Sequence, residues 1–147
     1  MNLNNTNYRY ERKFIIRDPL INTFDLINPQ YLLINEIYNE RIVNSIYYDT
    51  DNFYLAKETQ GGLSFRYKVR LRYYGDETNI NNPKLEIKLR IANKGKKYIF
   101  DINKKELFES SFRLPSLINI NQLPNEINRN IFLSLKPKIH INYRRKY

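Results

Sequence analysis

The sequence predicts an α+β fold in which a β-barrel with a charged interior is flanked by helices. As a strand, residues 64–74 place Arg66, Lys68, Arg70 and Arg72 on one face and apolar or aromatic residues on the other. Residues 84–90 and 8–15 repeat this alternation, each with a glutamate among its cations. Strands whose charged faces converge, and whose apolar faces turn outward under helices, form a barrel with a charged lumen.

The charges of residues 64–74 allow two interpretations when the strand is taken alone. Neighbouring cations on one strand face lie about 7 Å apart and repel by about 0.6 kcal/mol in water, or about 2.4 kcal/mol at an effective dielectric near 20. An exposed edge strand tolerates this repulsion, and its charges discourage edge pairing. A semi-enclosed face needs an anion to offset the repulsion. Repetition of the pattern in other strands favours the enclosed face.

Composition narrows the possible partners and sites. The 147 residues carry a formal net charge of +10, which predicts a polyanionic partner. The absence of cysteine excludes a disulfide framework, and the single histidine, His140, excludes a polyhistidine metal site and lies in a strand-like run. The N-terminus lacks a signal-peptide pattern, and no apolar run approaches about 20 residues. We therefore expect a cytoplasmic protein without direct membrane insertion.

The other elements follow from local signals. Before the cationic strand, we predict a helix over residues 18–29 and a strand over 41–49. Thr50 or Asp51 then caps a helix that runs through Lys57 and stops at Gly61-Gly62. The polar residues 75–83 then predict a hairpin connection. Further predictions are a turn formed by Lys94, Lys96 and Lys97 around Gly95, a short strand near Tyr98, helices over 104–109 and 124–135, and a last strand over 138–145.

Five motifs in order carry a family resemblance: R-Y-E-R-K-F, V-N-S-I-Y-Y-D-T, G-G-L-S-F-R-Y-K-V-R-L-R-Y-Y-G, L-E-I-K and L-K-P-K-I-H-I-N-Y-R-R. Together they closely resemble the VTC domain, the polyphosphate polymerase module of the vacuolar transporter chaperone complex and its bacterial relatives. The resemblance implies one domain over residues 1–147. It also implies the antiparallel barrel of the triphosphate tunnel metalloenzymes, which holds phosphates among inward cations.

Site residues follow from matching these motifs. The resemblance assigns phosphate binding to Lys13, Arg70, Arg72, Lys88 and Arg145, and the alternation of the central strand adds Arg66 and Lys68. Arg70, Arg72 and Lys88 are the implied catalytic residues. Glu11 and Glu86 are expected to orient the cations or to hold a divalent metal, Mn or Mg. ATP, triphosphate or polyphosphate is the implied ligand.

Three features depart from the family pattern. Arg9 occupies the first acidic position of the hydrolytic branch, which favours the polymerase branch. The predicted strands are fewer than a closed tunnel needs, so we expect the N-terminal portion of the tunnel, a poor catalyst that self-associates or pairs with a partner chain. Strict alternation groups Arg145 with Ile139, Ile141 and Tyr143, so its assignment requires a bulge or a mixed face.

The leading hypothesis is a polyphosphate polymerase-like domain that, when complete, transfers the γ-phosphate of ATP to a polyphosphate chain. The alternative is a non-catalytic module that binds polyphosphate or nucleic acid. Glu11 and Glu86 among the cations count against nucleic acid, because a groove that only tracks phosphates has no need of carboxylates. Metal dependence separates an enzyme from a polyanion binder.

Overall fold

The computed structural model describes residues 39–76, 79–109 and 111–145. Its strands are β1 (Arg41–Asp49), β2 (Phe65–Tyr74), β3 (Asn81–Ile91), β4 (Lys94–Asp101) and β5 (Lys136–Arg145). Its helices are α1 (Tyr54–Gln60), α2 (Lys104–Glu109), α3 (Leu114–Leu117) and α4 (Arg129–Ser134), with a 3-10 turn at Ile120–Gln122. The strands form one sheet in the order β4-β3-β2-β1-β5, and every neighbouring pair is antiparallel. The predicted α+β class is confirmed.

The two faces of β2 lie in different environments. Val69 and Leu71 are fully buried, and Tyr67 and Tyr73 are at most 3% exposed, whereas the cations between them are partly or fully exposed. In β3, Leu85, Ile87 and Leu89 are buried on the same side as the buried residues of β2. Burial of each such side chain contributes about 1.5–3 kcal/mol. The predicted alternation of both strands is therefore confirmed.

The connection from β4 to β5 supplies the other side of the core. Leu107 of α2, Leu114 of α3 and Phe132 of α4 are each at most 1% exposed and belong to the same apolar cluster as the buried residues of β2 and β3. The helices are too short to be stable alone, because isolated helices under about 12–15 residues are marginal in water. Packing against the sheet therefore stabilises them.

Helix α1 begins later than predicted. The Thr50 hydroxyl oxygen does accept a hydrogen bond from the Tyr54 amide at 3.0 Å, as a capping residue would. The Asp49 carboxylate also caps this end, since its two oxygens accept from the amides of Leu55 and Ala56 at 2.9 Å. Because these bonds fix the first turn at Tyr54, the helix begins there rather than directly after a cap at Thr50 or Asp51. It ends at Gln60, before the predicted stop at Gly61-Gly62.

Two other predictions of secondary structure were wrong. Lys94, Lys96 and Lys97 lie in strand β4, because the turn is formed by residues 92–93 and Ile91 already pairs with Lys94. In place of the helix predicted over residues 124–135, the structure has the shorter helix α4, which begins at Arg129. It begins there because the Asn128 side chain accepts hydrogen bonds from the amides of residues 130 and 131, and so caps the helix at that point.

A closed barrel is not shown. In the part of the chain that the structure describes, β4 and β5 are the edges of an open five-stranded sheet. A closed barrel requires its two outermost strands to pair, and β4 and β5 do not pair with each other. The strand predicted over residues 8–15 and the helix predicted over 18–29 lie outside the described residues.

Candidate anion-binding site

The cationic face is the side of β2, β3 and β4 opposite the apolar core. Lys68 lies across from Lys88, Arg70 across from Glu86, and Arg72 across from Lys84. The register of β4 adds Lys97, Ile99 and Asp101 to the same side. The face carries these side chains: Arg66, Lys68, Arg70, Arg72, Lys84, Lys88, Arg90 and Lys97, with the carboxylates Glu86 and Asp101.

Glu86 is the buried centre of this face. Its side chain is 2% exposed, and its two carboxylate oxygens lie against three cations. Arg70 donates from Nε to Oε2 at 2.8 Å, and its Nη2 lies 2.7 Å from the same oxygen. Arg72 Nη2 and Lys97 Nζ lie 2.7 and 2.8 Å from Oε1. The contacts of Arg72 and Lys97 with Oε1 are ion pairs, but their geometry is not that of hydrogen bonds.

The ion pairs decide the charge of Glu86. Burial raises its pKa, but the contacts with Lys97 and Arg70 and the charge of Arg72 lower it more, so its pKa lies below its usual value. For Arg70, burial lowers the pKa, and the bonds to Glu86 and then to Tyr47 raise it above the usual value. The Arg70 guanidinium donates to the Tyr47 hydroxyl at 3.3 Å. Glu86 and Tyr47 together fix the plane of the Arg70 side chain.

Three lysines form a row beside this cluster. Lys68, Lys88 and Lys97 stand opposite one another on β2, β3 and β4. Lys97 contacts Glu86, but no carboxylate among the described residues pairs with Lys68 or Lys88. Like charges directly opposite on neighbouring strands are destabilising. A row of this kind gains stability when an anion lies over it.

The sequence prediction assigned Lys97 to a turn and so missed it as a site residue. The alternation of Lys97, Ile99 and Asp101 within K-Y-I-F-D was the available signal, because it places all three on one face of a strand. The ion pair between Lys84 and Asp101, at 3.2 Å, marks the edge of the same face. Only the pairing of β4 with β3 brings Lys97 next to Glu86.

The remaining predicted site residues are more dispersed. Arg66 lies at the end of the cationic face, where its guanidinium donates to the carbonyl of Leu63. Lys88 lies on the cationic face, where it stands across from Lys68. Lys13 and Glu11 lie outside the described residues.

Arg145 lies at the far end of β5. Its register is unbroken from Ile139 onward, so Arg145 shares the side of Ile139, Ile141 and Tyr143 and pairs with Arg41. Arg145 therefore lies on a face that it shares with apolar residues, and no bulge separates it from Ile139. This is the same side of the sheet as Arg70, although Arg145 is not adjacent to Arg70.

His140 belongs to a network of side-chain hydrogen bonds that links β5 to β1. Its Nε2 lies 3.0 Å from the Asn44 side-chain oxygen, which also accepts a bond from Asn142 at 2.7 Å. The Asn44 amide in turn donates to the Gly75 carbonyl at 2.7 Å. This network, in which only Asn44 is buried, ties β1, β5 and the turn after β2 together on the side opposite the cationic face.

The family model of the VTC domain matches residues 8–147. The chain belongs to the VTC domain family. This VTC domain matches no curated protein and no solved structure. Membership in the family indicates a polyphosphate-related function, which agrees with the clustered cations. None of the helices among the described residues is long and apolar enough to span a membrane.

The VTC family is generally metal-dependent, so the fit of a divalent metal to this face matters. The described residues contain no cluster of three or more potential metal ligands. Glu86 is surrounded by three cations, and a divalent ion bound there would add charge to a cluster that is already positive. The described part of the cationic face therefore does not fit a metal. The prediction that Glu11 and Glu86 hold Mn or Mg stays a prediction.

Proposed function

We propose that the cationic face binds the phosphates of ATP, triphosphate or polyphosphate. The observation that carries this proposal is the lysine row beside the cluster of Arg70, Arg72 and Glu86. Lys68 and Lys88 have no carboxylate partner among the described residues, although they stand directly opposite each other. A chain of phosphates over this row would remove the repulsion between the two lysines.

The arginines and lysines would contribute differently. Arginine offers a planar fork that matches two phosphate oxygens, whereas lysine is a mobile point charge. Arg70 is held by Glu86 and Tyr47 before any ligand binds, so its side chain loses little conformational entropy on binding. The Arg70 guanidinium has five N–H donors, and these contacts leave donors available for phosphate. We assign Glu86 the role of orienting Arg70 and Arg72.

We propose that the VTC domain transfers the γ-phosphate of ATP to polyphosphate. An oxygen of the terminal phosphate of the chain would form a bond to the γ-phosphorus. The bond from that phosphorus to the oxygen that bridges it to the β-phosphate would break, and ADP would leave. Arg70, Arg72 and Lys88 would neutralise the charge on the non-bridging oxygens. Catalysis of phosphoryl transfer consists mostly of such positioning and electrostatic stabilisation.

A second candidate is a module that binds polyphosphate or another polyanion without catalysis. The environment of Glu86 favours this candidate, because its carboxylate is occupied by Arg70, Arg72 and Lys97 and is not free to hold a metal. The two candidates share the same phosphate-binding residues. They differ in whether ADP is formed.

The binding proposal is tested by calorimetry with tripolyphosphate, sulfate and single-stranded RNA at one ionic strength. We expect tripolyphosphate to bind most tightly. Arg70→Ala should weaken tripolyphosphate binding by at least tenfold, because hydrogen bonds to charged groups contribute about 1.5–3 kcal/mol. Arg129→Ala is the matched control, since Arg129 is exposed on α4 and lies outside the cationic face.

Equal affinities for tripolyphosphate and sulfate, or equal effects of the two substitutions, would refute a specific site. A preference for RNA would favour a nucleic-acid binder. Incubation with ATP and Mn or Mg then separates the candidates: metal-dependent ADP release with polyphosphate formation supports the polymerase. Binding without ADP release supports the non-catalytic module.

A further inference from the structure

Exposed apolar side chains meet at the end of the sheet where β2 begins and β3 ends. Leu63, Phe65 and Ile91 are 50%, 38% and 45% exposed. Phe65 lies directly across from Ile91, and the amide of Ala92 donates to the carbonyl of Ser64 at 2.6 Å, so the two segments stay paired up to this end. We call Leu63, Phe65 and Ile91 the apolar tip. Single exposed apolar residues are common on protein surfaces, whereas adjacent ones with a polar rim indicate an interaction site.

Cations surround the apolar tip. Arg66 follows Phe65 in β2 and lies across from Arg90 of β3, and Lys94 of β4 lies across from Ile91. No carboxylate among the described residues forms an ion pair with Arg66, Arg90 or Lys94. Like charges directly opposite on neighbouring strands are destabilising, so Arg66 and Arg90 gain from a nearby anion. This end of the sheet is therefore apolar at its centre and positively charged around it.

The two arginines turn toward the apolar tip. The Arg66 guanidinium donates to the carbonyl of Leu63, and Arg90 Nε donates to the carbonyl of Ala92 at 3.3 Å. Both carbonyls lie just beyond the ends of β2 and β3. Along β2, Arg66 is about 13 Å from Arg70, and its guanidinium is held in the direction away from Arg70. The two arginines thus belong to the apolar tip rather than to the phosphate-binding cluster.

We propose that the apolar tip and its cations bind the surface of a membrane that contains anionic lipids. The apolar side chains would enter the boundary between the headgroups and the acyl chains, and Arg66, Arg90 and Lys94 would contact the anionic headgroups. This contact is peripheral, because only side chains at the end of the sheet reach the lipid. It does not depend on phosphate binding by the cationic face.

Two other partners fit this end of the sheet less well. Leu63 and Ile91 are aliphatic, so they offer no ring on which a nucleobase of single-stranded nucleic acid could stack. A stable protein interface buries about 800 Å² on each partner and uses about 20–30 residues, many more than the apolar tip and its cations supply. A membrane surface needs only a few apolar side chains beside several cations, because the two contributions add.

Sedimentation with lipid vesicles measures the affinity of the unsubstituted protein. Vesicles of phosphatidylcholine alone are compared with vesicles that also contain phosphatidylserine. Each cation near an anionic surface strengthens binding about fivefold, so the anionic vesicles should bind at least about tenfold more tightly. Ile91→Ser should weaken this binding about fivefold, because it removes an apolar side chain that is half exposed before binding. Phe108→Ser is the control, since Phe108 is 56% exposed but lies on α2, which follows the opposite end of β4.

Tryptophan fluorescence shows which end of the protein meets the lipid. The sequence contains no tryptophan, so Leu63→Trp and Phe108→Trp each carry a single reporter at an exposed position. With the anionic vesicles, we expect the emission of Leu63→Trp to shift to shorter wavelength, because its indole moves from water into lipid. The emission of Phe108→Trp should not shift. Both substitutions replace one exposed apolar side chain by another, so both variants should keep the fold.

A second comparison separates the apolar tip from the cationic face. Arg70→Ala should leave vesicle binding within about twofold, because Arg70 lies more than a Debye length of about 8–10 Å from Arg66. Ile91→Ser should likewise leave tripolyphosphate binding unchanged. Loss of vesicle binding in Arg70→Ala would place the lipid on the cationic face and overturn the proposal. Equal binding to both kinds of vesicle, no shift for Leu63→Trp, or displacement of the vesicles by single-stranded RNA would also overturn it.

Discussion

Replacement of Glu86 by glutamine tests the electrostatic account of the cationic face. The substitution keeps the shape of the side chain and removes the one negative charge between Arg70, Arg72 and Lys97. Removing one partner of a buried ion pair costs about 3–5 kcal/mol. The three cations are 28%, 21% and 40% exposed, so solvent screens part of this cost. We expect Glu86→Gln to lower the free energy of unfolding by about 2–4 kcal/mol at pH 7.

The repulsion between Arg70 and Arg72 that remains in Glu86→Gln has the same order of magnitude as this loss of stability. Arg70 and Arg72 project from one face of β2 about 7 Å apart, and at an effective dielectric near 20 they repel by about 2.4 kcal/mol. In the folded protein Glu86 offsets this repulsion, and in Glu86→Gln nothing in the cluster does. Tripolyphosphate should therefore stabilise Glu86→Gln more than the unsubstituted protein, because the anion replaces the lost carboxylate. A ligand at a hundred times its Kd adds about 2.7 kcal/mol.

Protonation of Glu86 should lower the free energy of unfolding as the pH falls. The pKa of Glu86 in the folded protein lies below its usual value of 4.5, because the contacts with the cations outweigh the effect of burial. A carboxylate of this kind stabilises the fold above its unfolded pKa, and the contribution is lost as pH falls through the folded pKa. The unsubstituted protein should therefore lose stability below about pH 4.5. Glu86→Gln should lack this part of the acid transition.

Urea denaturation followed by circular dichroism between pH 7 and pH 3 measures both effects. Glu126→Gln is the matched control, since Glu126 is exposed, accepts one long hydrogen bond of 3.4 Å from the Tyr98 hydroxyl and acts on Lys96 only through its charge. We expect this control to change the free energy of unfolding by less than about 0.5 kcal/mol. The same urea midpoint for Glu86→Gln and the unsubstituted protein at pH 7 would refute the account.

Two further pairs of substitutions test the fold, with urea denaturation as the measurement. Gly75→Ala should cost about 2–3 kcal/mol, because Gly75 has φ +91° and an added Cβ would lie 2.2 Å from the Asn79 carbonyl oxygen. Gly62→Ala, at φ +66° with open space around it, should cost only about 1 kcal/mol. Phe132→Ala should cost about 3–5 kcal/mol, and Leu133→Ala below about 1 kcal/mol, because Phe132 is 1% and Leu133 46% exposed. Equal losses within either pair would contradict the packing.

The sequence determined which side chains of β2 and β3 share a face. A strand alternates its side chains whatever its partners are, so the pattern from Arg66 to Arg72 predicted the cationic side without any knowledge of the fold. The same reasoning gave the bounds of β1 and α2 correctly, since apolar patterning and turn residues are local signals. Local signals also indicated that Arg145 and Ile139 lie on one side.

Only the tertiary structure decided which strands and side chains meet. The two-residue turn at residues 92–93 sets the register of β4 on β3 and so brings Lys97 onto Glu86. A shift of one residue would turn Lys97 to the opposite face. Pairing of β5 beside β1 likewise places Ile139 across from Tyr47, which is itself across from Arg70. Register and strand order depend on contacts between residues that are distant in the chain, so alternation within a single strand contains no information about them.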